Sequence, residues 1–242
     1  MAGCASTNDE AWKRSEYWKM LQAQKQKAED LQAEEYAEQL KDMSAGDLEK
    51  SGDNYIRQNN ILMALIHYTK ALEKDTENVD LRNKVGHLFL KQKMPDDALK
   101  EFDRILKDYP DNVWALEGKG RAHFSKGEHD KAIETFEQVI KLNPKRWYPY
   151  FVLGVIYDLR KTYDIAIQRY LKAFELNPTS SLILNNMGMS YYLNKDFTKA
   201  AETFISATKL DPDNQVAYNN LGLAFSQLGR YDEAFEAFKR GG

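Results

Sequence analysis

The chain has a single cysteine, Cys4, among its 242 residues, so no disulfide can close within it, and a thiol at the chain start argues against a catalytic nucleophile. Long apolar runs are missing too. None approaches the roughly 20 residues that a membrane-crossing helix needs. Histidine is scarce: His67, His87, His123 and His129 have no carboxylate or thiol at metal-ligand spacing. Gly118-Lys119-Gly120 lacks the spacing and the preceding strand of a phosphate loop. There is no Gly-x-Ser-x-Gly elbow and no isolated pair of acids. The sequence therefore offers no catalytic residue, no metal site and no need for a cofactor. An excess of charge of either sign is also missing. The formal net charge is −3, and residues 1–44 account for it with nine acidic and six basic residues, leaving 28 of each beyond. A balanced remainder carries no electrostatic footprint for nucleic acid or for an anionic membrane surface.

What is present is periodicity. Gly recurs every 34 residues without insertion, at Gly52, Gly86, Gly120, Gly154, Gly188 and Gly222. Ala follows twelve residues later, at Ala64, Ala98, Ala132, Ala166, Ala200 and Ala234, and an aromatic four residues after that, at Tyr68, Phe102, Phe136, Tyr170, Phe204 and Phe238. A second aromatic stands three residues after the Gly at Tyr55, Phe89, Tyr157, Tyr191 and Phe225, with His123 the exception. Pro110, Pro144, Pro178 and Pro212 close four of the units, and Thr76 takes that place in the first.

Within a unit such as 181–214 the apolar residues form two helical stripes, Leu184-Met187-Gly188-Tyr191 and Ala200-Phe204-Ala207-Leu210, separated at Asn194-Lys195-Asp196. A helix pair of this kind cannot bury both faces alone and needs neighbours of the same sort. The period and the Gly, Tyr, Ala, Phe and Pro positions resemble the tetratricopeptide repeat family over residues 45–242. The family's Trp four residues before the Gly is absent; Leu48, Arg82, Leu116, Tyr150, Leu184 and Tyr218 stand there. The resemblance implies an all-α, right-handed solenoid of six helix-turn-helix repeats: 45–78, 79–112, 113–146, 147–180, 181–214 and 215–242.

Individual units depart from the pattern in readable ways. Pro95 suits the first turn of the second helix in unit two. Lys119 occupies a core position in unit three, where its stem can pack while the ammonium reaches solvent. Unit six stops at Gly241-Gly242 inside its second helix, without the polar cap that a solenoid needs for solubility. The array is therefore expected to continue, or to be closed by another molecule.

Residues 1–44 read as a polar, helix-prone extension, a spacer or cap ahead of the repeats, with Ala45-Gly46 as the boundary. Ala2-Gly3-Cys4 resembles the end of a bacterial lipoprotein signal, which implies lipidation of Cys4, and Ala5 after it implies sorting to the outer membrane. The charged and apolar parts of a signal are not in the chain, and a chance tripeptide in a cytoplasmic protein is the other reading.

The resemblance also locates a partner surface. In this family the second, fifth, ninth and twelfth residues of each unit line the concave face. These are polar at first, with Glu49, Asp53, Asp80, Asn83 and His87. From unit three they become apolar and aromatic: Trp114, Phe124, Tyr148, Phe151, Val155, Leu182, Met189 and Tyr192. Asn185, Asn186, Asn219 and Asn220 lie among or beside them. Rings and amides in such a groove suit a peptide or an amphipathic helix, although Asn186 and Asn220 equally suit bonds within the array, and the N-terminal helix is an alternative cover for the rings. The Lys and Asn pair with which chaperone-tail binders clamp a terminal carboxylate is replaced by Glu49/Asp53, Asn83/His87, Glu117/Arg121 and Phe151/Val155.

The expected function is a non-enzymatic scaffold for other proteins. With the start at Cys4 it looks like a lipoprotein of pilus or secretion assembly, especially of tight-adherence (Flp) pili. The alternative is a substrate-selecting repeat domain of a larger enzyme such as an O-linked glycosyltransferase.

Overall fold

The computed structural model describes residues 40–242, so Cys4 and the extension up to residue 39 lie outside the described residues. Twelve α-helices follow one another: α1 (Ala45–Arg57), α2 (Ile61–Lys74), α3 (Val79–Lys91), α4 (Pro95–Asp108), α5 (Val113–Ser125), α6 (His129–Leu142), α7 (Trp147–Leu159), α8 (Tyr163–Leu176), α9 (Ser181–Leu193), α10 (Phe197–Leu210), α11 (Gln215–Gln227) and α12 (Tyr231–Gly241). No strand occurs among the described residues. Each repeat is one odd-numbered and one even-numbered helix. The chain divides into two compact units after Leu81. The first holds α1, α2 and the start of α3, and the second runs from Arg82 to Gly242.

Both ends of the first helices are written into the sequence. At the N-terminus, Ser44, Asn78, Asn112, Ser180 and Asn214 each accept a hydrogen bond from the backbone N–H three residues on, at Asp47, Leu81, Ala115, Ile183 and Ala217. These donors have no intrahelical partner, and a Ser or Asn side chain satisfies one of them. Ala45 and Gly46 accordingly form the first turn of α1 behind the Ser44 cap.

The C-terminal ends all make one turn. The fifteenth residue of every unit has a positive φ, from 57° at Asn59 to 74° at Gly127. The next N–H then reaches back five residues, from Met94 to the Phe89 carbonyl and from Asp196 to the Tyr191 carbonyl, each at 2.9 Å. This is the Schellman arrangement, which satisfies an orphan carbonyl and reverses the chain in two residues. Lys93, Lys161 and Lys195 adopt it despite the steric cost of a Cβ there. The turn geometry is imposed by helix packing and is stronger than local preference.

Packing between paired helices explains the Gly–aromatic spacing. A Cβ added at Gly154 would lie 2.6 Å from the Tyr170 ring, and one at Gly188 would lie 2.7 Å from the Phe204 ring. The ring therefore rests directly on the backbone of the first helix, and Phe102, Phe136, Tyr170 and Phe204 are fully buried. The first helices also bury their third and tenth positions, at Ala115, Ile183 and Ala217 and at Ala122, Ile156, Ser190 and Ala224. The stripe of fourth, seventh, eighth and eleventh residues is thus half of the packing surface. The other half is seated against the neighbouring repeat, which the period alone does not reveal.

Two polar groups enter that second interface. The Tyr170 hydroxyl donates to Asp158 at 2.9 Å, and Ser190 Oγ, on the next repeat, donates to the same carboxylate at 2.7 Å. Burial pushes the Asp158 carboxyl above the usual carboxylate range and raises the Tyr170 phenol well above its own. The carboxylate joins three helices, α7, α8 and α9.

Candidate functional site

Within Arg82–Gly242 the first helices of repeats four, five and six touch one another as well as their partners, in contacts that the second helices do not match. The first helices of these repeats therefore form the inner side of the stack, and their second, fifth, ninth and twelfth residues are the positions that the repeat pattern assigns to a groove.

The second positions form its rim. Trp114, Leu182 and Val216 are 58%, 52% and 61% exposed, with the half-buried Tyr148 between the first two. Isolated apolar side chains on a surface need no explanation, but a row at a constant 34-residue interval does. Further in, Phe151, Val155, Met189 and Tyr192 are half-buried and pack against the core clusters. The Phe151 ring centroid lies 5.9 Å from that of Tyr170 and 6.4 Å from that of Tyr148. Phe151 thus belongs partly to the core, although the periodic pattern sets it off the packing stripe. Tyr192 stacks edge-on to Phe197 at 5.3 Å, and Phe124 is tilted against His129 at 5.9 Å.

The amides divide by role. Asn220 Nδ2 donates to Asn185 Oδ1 at 2.9 Å, which links α11 to α9. Asn186 bonds the Leu182 carbonyl of its own helix, and Asn219 Nδ2 donates to the Gly241 carbonyl at the end of α12. The amide pair of Asn185 and Asn220 spans two repeats on the groove side. Asn219 ties the last helix pair together.

The most informative part of the groove is a break in the capping register. At the position of Ser44, Asn112, Ser180 and Asn214 the fourth repeat has Arg146, with no side-chain cap bond. The donor that such a cap would satisfy is also missing, because the residue three places on is Pro149, which has no N–H. Position 146 is thereby released from capping. Its Nε donates to Glu117 at 2.8 Å, and its guanidinium lies 4.0 Å from the centroid of the Trp114 ring. Glu117 is buried. A buried carboxylate is tolerated when it is paired and hydrogen-bonded, and the stacked Arg does both while holding the indole in place.

Arg121, one turn on from Glu117, completes the cluster. Its guanidinium lies 5.4 Å from the Tyr148 centroid and its Nη1 is 3.5 Å from His87 Nδ1. Arg146 falls outside the four positions assigned to the concave face, and its signal in the sequence is the coincidence of a non-capping residue with Pro three places later. His123 takes no part, since it is buried against Glu128 at 2.7 Å. That contact, with Lys131 and Lys126, holds the Glu128 carboxyl down to about 2. Lys119 reaches Asp103 at 2.7 Å, so its stem packs and its charge stays at the surface. Among the described residues no group of three or more potential metal ligands comes together.

An array of helix pairs with an apolar inner groove defines a repeat scaffold. The chain belongs to the tetratricopeptide repeat family, whose pattern residues 84–146, 118–181 and 185–241 match. Solved structures agree. A crystal structure of MamA is 25% identical with a TM-score of 0.61, over 65% of this chain and 92% of that one. A tetratricopeptide repeat protein from Parabacteroides merdae is 17% identical with a TM-score of 0.67, over 81% and 78%. YrrB, described as a TPR protein with an unusual peptide-binding site, is 21% identical with a TM-score of 0.59, over 72% and 90%. No curated protein matches the chain.

Proposed function

We propose that this chain is a non-enzymatic scaffold that holds a peptide or an amphipathic helix of another protein against α5, α7, α9 and α11. The observation that carries the reading is the exposed row of Trp114, Leu182 and Val216 beside half-buried rings. Apolar anchors of this kind supply burial, and the Asn185 and Asn220 amides supply partners for a bound backbone. The peptide-binding site described for YrrB is consistent with such a use of the fold.

The test is direct. Peptides selected from a random twelve-residue library should bind, and Trp114→Ala and Tyr192→Ala should each weaken the best binder by about 2 kcal/mol. Trp114→Ala is the cleaner probe of the two, because its indole is more than half exposed. Binding untouched by both substitutions, measured by titration calorimetry, would place the site elsewhere.

The narrower reading assigns the scaffold to a bacterial envelope machine such as a pilus or secretion system, anchored in the outer membrane through Cys4. It rests on Ala2-Gly3-Cys4. Expressed with the sequence upstream of its gene, the protein should carry acyl chains and fractionate with membranes. A Cys4→Ala variant with unchanged mass and fractionation would end this reading.

A further inference from the structure

We propose that Arg121 is the specificity determinant of the groove and binds the carboxylate of an Asp or Glu side chain within the bound segment. The proposal rests on the groove being the partner site and names the chemistry that it selects. Arg121 projects from the middle of α5 and is half-buried. Among the described residues it enters no ion pair; its contacts are His87 Nδ1 at 3.5 Å and the face of Tyr148 at 5.4 Å. The nearest acid on its own helix face, Glu117, is engaged by Arg146 at 2.8 Å. Arg146 thus takes the Glu117 carboxylate, and the unmatched positive charge sits on Arg121.

His87 does not reduce that surplus by accepting a formal charge, nor does it add to it. Burial, and the adjacent Arg121, bring its pKa down to about 4, so the ring is neutral at pH 7 and can accept from the guanidinium. A guanidinium has five N–H donors in a planar fork, and His87 takes one of them. The donors left over lie beside the half-buried Tyr148 ring. A carboxylate placed there exchanges water for charge-assisted hydrogen bonds in surroundings of low polarity, where such bonds are strong. A cationic or purely apolar segment would leave Arg121 desolvated and unmatched, and that penalty is what makes the site selective.

Arg121 on α5 has His87 of α3 and Tyr148 of α7 as neighbours, one from each adjoining first helix. A bound chain therefore passes over the Arg, so the carboxylate belongs to a side chain and not to a chain terminus. The flanking residues of the ligand should be apolar, to meet the rings and the exposed Trp114.

The experiment uses the full chain and a library of random twelve-residue peptides with amidated C-termini. Selected binders should be enriched in Asp or Glu at one position. For a synthetic binder, Arg121→Gln should reduce affinity about tenfold or more, and replacing the peptide acid by its amide should do the same to the wild-type chain. Applied to Arg121→Gln, the peptide change should have little further effect, and Arg121→Lys should recover part of the loss. Melting curves followed by circular dichroism establish that the variants fold. Should Arg121→Gln fail to fold, the peptide-side change and a fall in affinity with added salt still report on the wild-type chain.

Binders that depend on Trp114 and Tyr192 but show no acid enrichment, or no coupling to Arg121, would overturn the proposal and leave the groove standing. Binders obtained only with free C-termini would overturn it in favour of a terminal carboxylate. A library that yields no binder would remove the groove reading and this one with it.

Discussion

Replacing Phe204 by Ala is expected to lower stability by about 3–5 kcal/mol, the usual range for removing a fully buried aromatic. The ring has no exposed surface and lies on the backbone of Gly188, so no neighbouring side chain can swing into the space that it leaves. Each repeat is stabilised mainly by the one before and the one after it. The loss at repeat five should therefore uncouple α11 and α12 from α7 and α8, and split one urea transition into two. Phe238 is the internal control. It occupies the equivalent place in repeat six, resting on Gly222, yet it is 37% exposed. Phe238→Ala should cost clearly less. Equal costs for the two substitutions, measured by urea unfolding, would show that burial of the ring is not what the repeat depends on.

The second large effect is expected at Arg146. Arg146→Ala removes the counter-charge of Glu117, whose side chain is 9% exposed, and also uncovers the Trp114 ring. Breaking a buried ion pair from one side commonly costs about 3–5 kcal/mol, and the 20% exposure of Arg146 sets the expectation at the lower end, about 3 kcal/mol. Substituting both partners together, Arg146→Met with Glu117→Leu, should recover most of the loss, because no charge is then left unpaired. The double-mutant coupling decides the matter: a value near zero would mean that the pair contributes nothing beyond packing. Arg146→Asn should not rescue the single loss by capping α7, since Pro149 has no N–H to donate.

These two sites differ in how far they can be seen in the sequence. Phe204 is legible from the 34-residue interval alone, together with Gly188 and Ala200. A strict period with a Gly sixteen residues before an aromatic can be met only by helices close enough for ring to touch backbone. The same holds for the turns. The interval places Asn59, Lys93, Gly127, Lys161, Lys195 and Gly229 at one position, and the left-handed backbone found there follows from joining two packed helices by so few residues.

The surface of the proposed groove was legible in part. Position within the repeat brings Trp114, Tyr148, Leu182, Met189 and Tyr192 to one side, because helical geometry fixes which residues share a face. It does not say how deep each one sits. Phe151 and Val155 share the pattern's groove positions, yet they lean on the core, Phe151 with its ring 5.9 Å from that of Tyr170. The amides likewise separate only in three dimensions, with Asn185 and Asn220 bonded across repeats and Asn219 bonded to Gly241.

What the sequence by itself determined is the repeat: its length, its helix ends, its ring-on-glycine packing and the face that its first helices turn inward. These are properties of residues within one helix pair, such as a Gly and an aromatic sixteen positions on, where spacing dictates contact. Only the tertiary structure decided the charges of the groove. Arg146 and Glu117 are separated by 29 residues and Arg121 and His87 by 34, and whether such groups pair depends on how consecutive repeats are stacked. Stacking brings Arg146 to Glu117 and leaves Arg121 with a neutral imidazole, a difference in distance of a few ångströms that no periodicity encodes.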